Sequence, residues 1–482
     1  MTNLIVELSK YLMVILFAGY TYECFSVLGK RKTKEQQNSI FARQTALMYL
    51  LHLNAYLVIF VVTQKLSILL FYLAQVILVL VVIQCYQMFY PKASRLVINN
   101  MCMLLLVGFI MLTRLDETRV VKQFVIATAS LILTLTIPFL IRKVSFFHKL
   151  TWVYAVAGIL ALGLVAVAGS TSYGAKISFT VAGITIQPSE FIKILFVFFV
   201  ASRLCVSTEL KSLIVTTAVA ALHVLILVAS KDLGGALIFF IVYMVMLYVA
   251  TKKVTYFLGG LACGSLAAVV AYKLFRHVRV RVLAWKAPLS VIDKEGYQIC
   301  QSLFAIGTGG FFGLGLYQGM PNKIPVVEQD FIFAAISEEL GGVFALCLIL
   351  VCASCFLMFL NIAMQIKNMF YKLVALGLGT VYGFQVFLTV GGVTKFIPST
   401  GVTLPLVSYG GSSVLSTLIL FGIIQGLYIL REDEGKVNEK ESGKGSRGDR
   451  AGKDRHNSHS KRNEEKKQKK ATRFDAKFEK LD

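Results

Sequence analysis

The sequence predicts an all-α polytopic membrane protein, and three observations carry that prediction. Hydrophobic residues make up 56% of the 482, charged residues only 16%, and the mean hydropathy is +0.71. Apolar stretches of about 18 residues or more, long enough to cross a bilayer as helix, recur from Tyr11 to Leu430. Basic residues gather in short segments between those stretches, the pattern that orients helices in a membrane. The short alternating segments of a transmembrane barrel are missing from the sequence.

Hydropathy marks about thirteen spans. Three lie near 11–28, 44–62 and 66–90, within a segment 1–95. Ten more fill 96–430, near 96–113, 121–141, 149–168, 188–205, 212–229, 234–251, 254–274, 330–360, 370–393 and 411–430. The segments Arg31–Arg43, Arg142–Lys149, Lys252–Lys253 and Lys367–Lys372 fall on one side, which the positive-inside trend makes cytoplasmic. The N-terminus and the large loop 275–329 then fall outside. That loop carries Arg276, Arg279, Arg281, Lys286, Lys294 and Lys323 against the trend, so an anionic ligand is expected there.

Residues 431–482 hold 17 Lys/Arg against 12 Asp/Glu, a net of +5, with few aliphatic side chains. Such a composition buries too little apolar area to fold and predicts a disordered basic tail, fitted to lie on anionic headgroups or merely to solubilise. The net charge of +23 is spread over loops and this tail, so it is no nucleic-acid signature. The nine cysteines fall mainly in apolar segments and imply no disulfide framework. Cys352 and Cys355 read as helix packing, and no signal-peptide cleavage site follows Lys10.

Several segments carry chemistry. Asp330 opens the apolar run that holds Glu338 and Glu339, and charges at a membrane helix are functional candidates. At about 100° per residue, Glu338 shares a side with Asp330 two turns deeper, so the two are expected to line one cavity, while Glu339 points away. Glu190 and Lys193 in Gln187-Pro188-Ser189-Glu190-Phe191-Ile192-Lys193 share a helix face, as a structural ion pair or as substrate contacts. Asp232 in Lys231-Asp232-Leu233-Gly234-Gly235 suits a helix cap. Gln298 and Ser302 are uncharged hydrogen-bonders fit for sugar hydroxyls. The run from Pro398 to Ser413, with Ser408 inside it, reads as a re-entrant or surface-lying loop beside the site, because irregular backbone at membrane depth must be covered by protein or line a cavity. His52, His148, His223 and His277 lack ligand spacing, so no zinc site is expected.

Four motifs in order, QPSE-x-x-K, D-L-G-G, the block GYQ…QS…AIG-x-GG…DFIFA…EELG, and T-G-V-T-L-P-L-V-S-Y-G-G-S-S, resemble the SEDS family of FtsW, RodA and SpoVE over about Leu96 to Leu430. The resemblance implies a ten-span core in a bacterial plasma membrane. It also implies a peptidoglycan glycosyltransferase that polymerises lipid II, working with a class B penicillin-binding protein and other elongation or division proteins. The family's essential acid falls on Asp330. Ile324-Pro325-Val326 stands where the family commonly has Leu-Pro-Glu, Glu328 and Gln329 replace the frequent His-Thr, and the first three spans are an addition. In this reading Asp330 is the general base, and Arg279, Arg281, Lys323 and Lys395, alone or with a divalent cation such as Mg2+ or Mn2+, face a departing pyrophosphate. A lipid flippase or a recruiting scaffold accounts for less, since no internal repeat is visible and neither role uses Asp330. The sequence does not separate elongation, septation and sporulation, though the added N-terminal spans lean toward elongation.

Overall fold

The computed structural model describes residues 2–29, 33–144, 146–172, 175–181 and 184–434. The basic tail expected from 431 lies outside the described residues beyond Glu434. The described residues up to Ile429 form one compact unit.

The first three helices are α1 (Thr2–Leu28), α2 (Lys34–Thr63) and α3 (Leu66–Phe89). Thr33 caps α2 with its hydroxyl on Gln36 N–H while the Gln36 side chain returns to Thr33 N–H, the reciprocal box that satisfies two orphan donors. Then follow α4 (Arg95–Leu115), α5 (Glu117–Thr134), α6 (Ile137–Lys143), α7 (Thr151–Ala168), α8 (Pro188–Val206), α9 (Leu210–Ala229), α10 (Leu233–Thr251), α11 (Val254–Leu274), α12 (Arg276–Lys286), α13 (Tyr297–Gly309), α14 (Ile332–Glu339), α15 (Gly342–Gln365), α16 (Met369–Val393) and α17 (Gly411–Glu434). Twelve spans among the described residues are long and apolar enough to cross a membrane. The expected span at 188–205 is present as α8, but any 18 of its residues include Glu190, Lys193 and Arg203, whereas each of those twelve has an 18-residue stretch with at most two charges.

Three features depart from the expected pattern. Residues 170–186 form a small antiparallel sheet, β1 (Ser170–Ser172), β2 (Ala175–Val181) and β3 (Ile184–Ile186), in the order β1-β2-β3. The loop 275–329 is largely folded, into α12, α13 and short 3-10 turns. The span expected at 330–360 is broken between Glu339 and Gly342, because Gly341 adopts φ +93° and its Cα lies tight against the backbone of Phe311–Gly313, where no side chain fits.

Helix α4 is the centre of the fold. Every residue from Leu96 to Thr113 is buried, with α2, α3, α5, α14 and α15 packed around it. Gly108 lets the backbone of Leu406 and Val407 press directly on α4; a Cβ there would stand 2.7 Å from Val407 O. The irregular segment before α17 is thereby buried against the core, as non-helical backbone inside a membrane protein must be. At the other end of α17, Gln425 donates to Ser94 O at 3.0 Å and accepts from Ser94 N–H at 2.9 Å, which fixes the start of α4.

Candidate functional site

Asp330 stands just before α14, partly buried, and no other residue's side chain donates a hydrogen bond to it among the described residues. Burial pushes its carboxyl up to about 6, against the opposing pull of its own backbone N–H and of the Arg281 guanidinium. A carboxylate at this value is ionised near neutral pH yet basic enough to accept a proton, the balance general-base work needs.

The neighbour across from it is the segment Thr400–Thr403. Gly401 has φ +72°, and a Cβ on it would come 3.7 Å from Asp330 Oδ2. Arg281, on α12, donates to Thr400 O at 3.3 Å and feels the charges of both Asp232 and Asp330. Asp232 caps α10 through Gly235 N–H at 2.8 Å, as the sequence predicts, while its Oδ2 is buried without a hydrogen-bond partner. Burial raises the Asp232 carboxyl as well.

Below this lies a cavity of about 30 Å3, lined by Gln187, Ser189, Glu190, Lys193, Asp232 and Thr403 among others, with room for a water molecule or two. Lys193 Nζ donates to both Glu190 oxygens at 3.0 Å and to Gln385 Oε1 at 2.8 Å, and Ser416 Oγ adds 3.1 Å to Glu190 Oε2. This buried pair is fully partnered. Gln385 Nε2 in turn donates to Thr403 O at 3.1 Å and Thr389 Oγ1 to Val402 O at 2.9 Å, so α16 holds the segment that faces Asp330. The structure therefore brings Asp330, Arg281 and Asp232 together, with Glu190 and Lys193 beneath them.

The other sequence candidates stand elsewhere. Ser302 is fully buried and its hydroxyl donates to Val393 O at 2.9 Å, joining α13 to α16. Ser408, also buried, accepts from Leu404 N–H at 2.9 Å. Both hydroxyls are engaged with backbone rather than facing the opening. Gln298 donates to Pro325 O at 2.8 Å and braces the segment that leads to Asp330. Arg279 and Lys323 are exposed, and Lys395, with φ +59°, follows the Thr394 cap of α16 while its carbonyl accepts from Trp285 Nε1 at 3.1 Å.

Glu338 does not share a cavity with Asp330. Because α14 ends at Glu339, the two glutamates turn to the same glycine: a Cβ at Gly319 would meet Glu339 Cγ at 2.9 Å and Glu338 Cδ at 3.0 Å. Glu338 Oε1 accepts from Met320 N–H at 3.0 Å, and Glu339 Oε1 accepts from Arg114 Nε at 2.9 Å. Arg114, Gln123 and Gln385 are the partners sequence reasoning missed. Gln123 donates to Ser408 O at 2.9 Å and accepts from Gly410 N–H at 3.1 Å, clamping the turn whose Tyr409 N–H donates to Glu328 O at 2.8 Å. Their one visible signal was polarity inside apolar helices.

Among the described residues no three His, Cys, Asp or Glu side chains converge to hold a metal ion. The Arg281 guanidinium lies in the field of both Asp330 and Asp232, and no third carboxylate joins them among the described residues.

The family model for FtsW, RodA and SpoVE, described as cell cycle protein, matches residues 94–432. The chain belongs to this family. It is 38% identical over 292 residues to the peptidoglycan glycosyltransferase RodA of Mycobacterium tuberculosis, covering 57% of this chain and 62% of that protein, under two thirds of its length. RodA of Mycobacterium leprae is 33% identical over 365 residues, 70% of this chain and 78% of that protein. Stage V sporulation protein E of Bacillus subtilis is 31% identical over 59% of this chain and 81% of its own length. Among solved structures, Thermus thermophilus RodA superposes with a TM-score of 0.55 at 23% identity, covering 71% of this chain and 98% of that one. A chain of a peptidoglycan synthase complex that coordinates polymerization and crosslinking gives 0.59 at 24%, covering 70% and 98%. These two likenesses establish the fold. This FtsW/RodA/SpoVE-family chain is thus a multi-pass plasma-membrane protein, and the helices α1 to α3 precede the matched region.

Proposed function

We propose that this protein is a peptidoglycan glycosyltransferase that polymerises lipid II into glycan strands at the outer face of the plasma membrane. The observation that carries the reading is the unspent, burial-raised carboxyl of Asp330 beside Arg281, in a chain of this family. Asp330 takes the proton of the acceptor's 4-hydroxyl as that oxygen attacks the anomeric carbon of the lipid-linked donor. The bond from that carbon to the phosphate oxygen breaks, and undecaprenyl pyrophosphate leaves with the electron pair. One displacement inverts the anomeric centre. Arg281 and Arg279 on α12 stand on the same helix and supply fixed positive charge for the leaving diphosphate, which stabilises the transition state more than the ground state. Lys323, exposed in the same 275–329 segment, and Lys395, just after α16, serve in first capture of the headgroup. A class B penicillin-binding protein is the partner that crosslinks the product.

The test is incubation of the purified full-length chain with fluorescent lipid II, with and without such a transpeptidase. Asp330→Asn should lower polymerisation by about 10²- to 10⁴-fold while melting and partner binding stay as in the wild type. Polymer of ordinary length and yield from that variant would end the general-base assignment.

A further inference from the structure

Helices α1 to α3 lie outside the family match, yet they are fastened to the core by polar contacts. Midway along α1, Tyr20 Oη donates to Asn100 Oδ1 at 2.9 Å, and Cys24 Sγ reaches the same oxygen at 3.2 Å. Asn100 Nδ2 passes the connection to Ser354 Oγ on α15 at 2.7 Å. From α2, Gln44 Oε1 accepts from Asn99 Nδ2 at 3.1 Å, and Tyr56 Oη pairs with Thr113 Oγ1 at 2.8 Å. Gln75 of α3 donates to that tyrosine oxygen at 2.6 Å. In lipid the hydrophobic effect does not drive helices together, and packing with interhelical hydrogen bonds does so instead. These helices are therefore fixed to α4 and α15.

The beginning of α1 reaches further. Phe17 lies against Phe344 with ring centroids 4.3 Å apart, and Tyr11 against Phe312 at 5.5 Å. Val6, 1% exposed, covers Gly315, where a Cβ would come 2.7 Å from Val6 Cγ1. Gly315 sits at φ +103° and its N–H donates to Glu339 O at 2.8 Å, while Leu314 N–H donates to Glu338 O at 2.9 Å. So α1 holds the turn 311–315, and that turn holds the last residues of α14, a helix of eight residues that begins two positions after Asp330.

We propose that α1 is a positioning element for the site: Val6 and Tyr11 clamp the 311–315 turn on the end of α14, and α14 sets where Asp330 stands. An isolated two-turn helix has little rigidity of its own, so its placement must come from what grips it. The extension in this chain adds Val6 and Tyr11 to the grip that Arg114 of α4 already has on Glu339.

The rate measurement in the test rests on the glycosyltransferase reading, and the exchange measurement does not. In the full-length protein, the double variant Val6→Ala, Tyr11→Ala should lower kcat for lipid II polymerisation by about 10- to 100-fold, the cost of a small misplacement, with KM changed by less than about threefold. Hydrogen exchange of the backbone amides in 311–320 and 332–339 should quicken, while α16 stays protected. Tyr11→Phe, which keeps the ring, should restore wild-type rate and exchange. Tyr20→Phe breaks the connection midway along α1 and should lower Tm without touching kcat. The proposal is overturned by unchanged exchange in 332–339, or by a rate that falls only in step with Tm in both the Tyr20 and the Val6/Tyr11 variants. Should the wild type fail to polymerise lipid II, the function falls while the exchange data still decide the positioning.

Discussion

Glu190 and Asp330 are two acids of one polar region, and they are treated in opposite ways. Each Glu190 oxygen is met by Lys193, one of them also by Ser416, and the whole group is buried. Among the described residues Asp330 receives no hydrogen bond from another side chain, and it lies at the edge of the same region, with Arg281 acting on it only as a nearby charge. A fully partnered carboxylate has nothing left to give a substrate, whereas a partly desolvated one held only by its own backbone N–H can take a proton.

The comparison is broken most directly at Lys193. Lys193→Met leaves Glu190 buried without its counter-ion, and removing one member of a buried pair costs about 3–5 kcal/mol. Thermal unfolding should show this loss, and activity should fall with the folded fraction. Replacing both members, Glu190→Leu with Lys193→Met, should recover much of the stability. A double variant as unstable as the single one would mean that the pair does more than neutralise itself.

Arg281→Ala sharpens the other half. The rate should depend on ionised Asp330 and therefore rise with pH through about 6. Arg281 favours the ionised form, so its removal moves that rise to higher pH, costing about tenfold in rate at the acid end per unit of displacement. A pH–rate profile with its acid limb unmoved would sever Arg281 from Asp330. The smallest effect is expected at Ser302→Ala, which removes one hydroxyl-to-carbonyl bond worth about 1 kcal/mol and should lower Tm slightly with KM for lipid II unchanged.

The helices were legible in the sequence because lipid demands long apolar runs, and the cap at Asp232 because it is a matter of neighbours along the chain. Asp330 was legible as a charge at the edge of such a run. What was hidden depends on distance in sequence. The partner of Glu339 is Arg114, 225 positions away, and the turn of Ser408 is gripped by Gln123, 285 positions away. No periodicity records such pairings. The misjudged direction of Glu338 has a nearer cause: helical phase was counted from Asp330, which stands in a turn two positions before α14 begins at Ile332. The small sheet at 170–186 went unseen because its strands are three to seven residues long, too short beside the apolar spans to register.

The arrangement around α8 also bears on how the chain is assembled in the membrane. With three charged residues in its 19, this helix enters lipid less readily than its neighbours. Gln385 and Ser416, which complete the bonding of Lys193 and Glu190, follow 192 and 226 residues later. During synthesis those partners do not yet exist when α8 leaves the ribosome. The two charges are three residues apart and meet as soon as one helical turn forms, so the segment carries its own neutralisation into the bilayer and waits there for α16 and α17 to close over it.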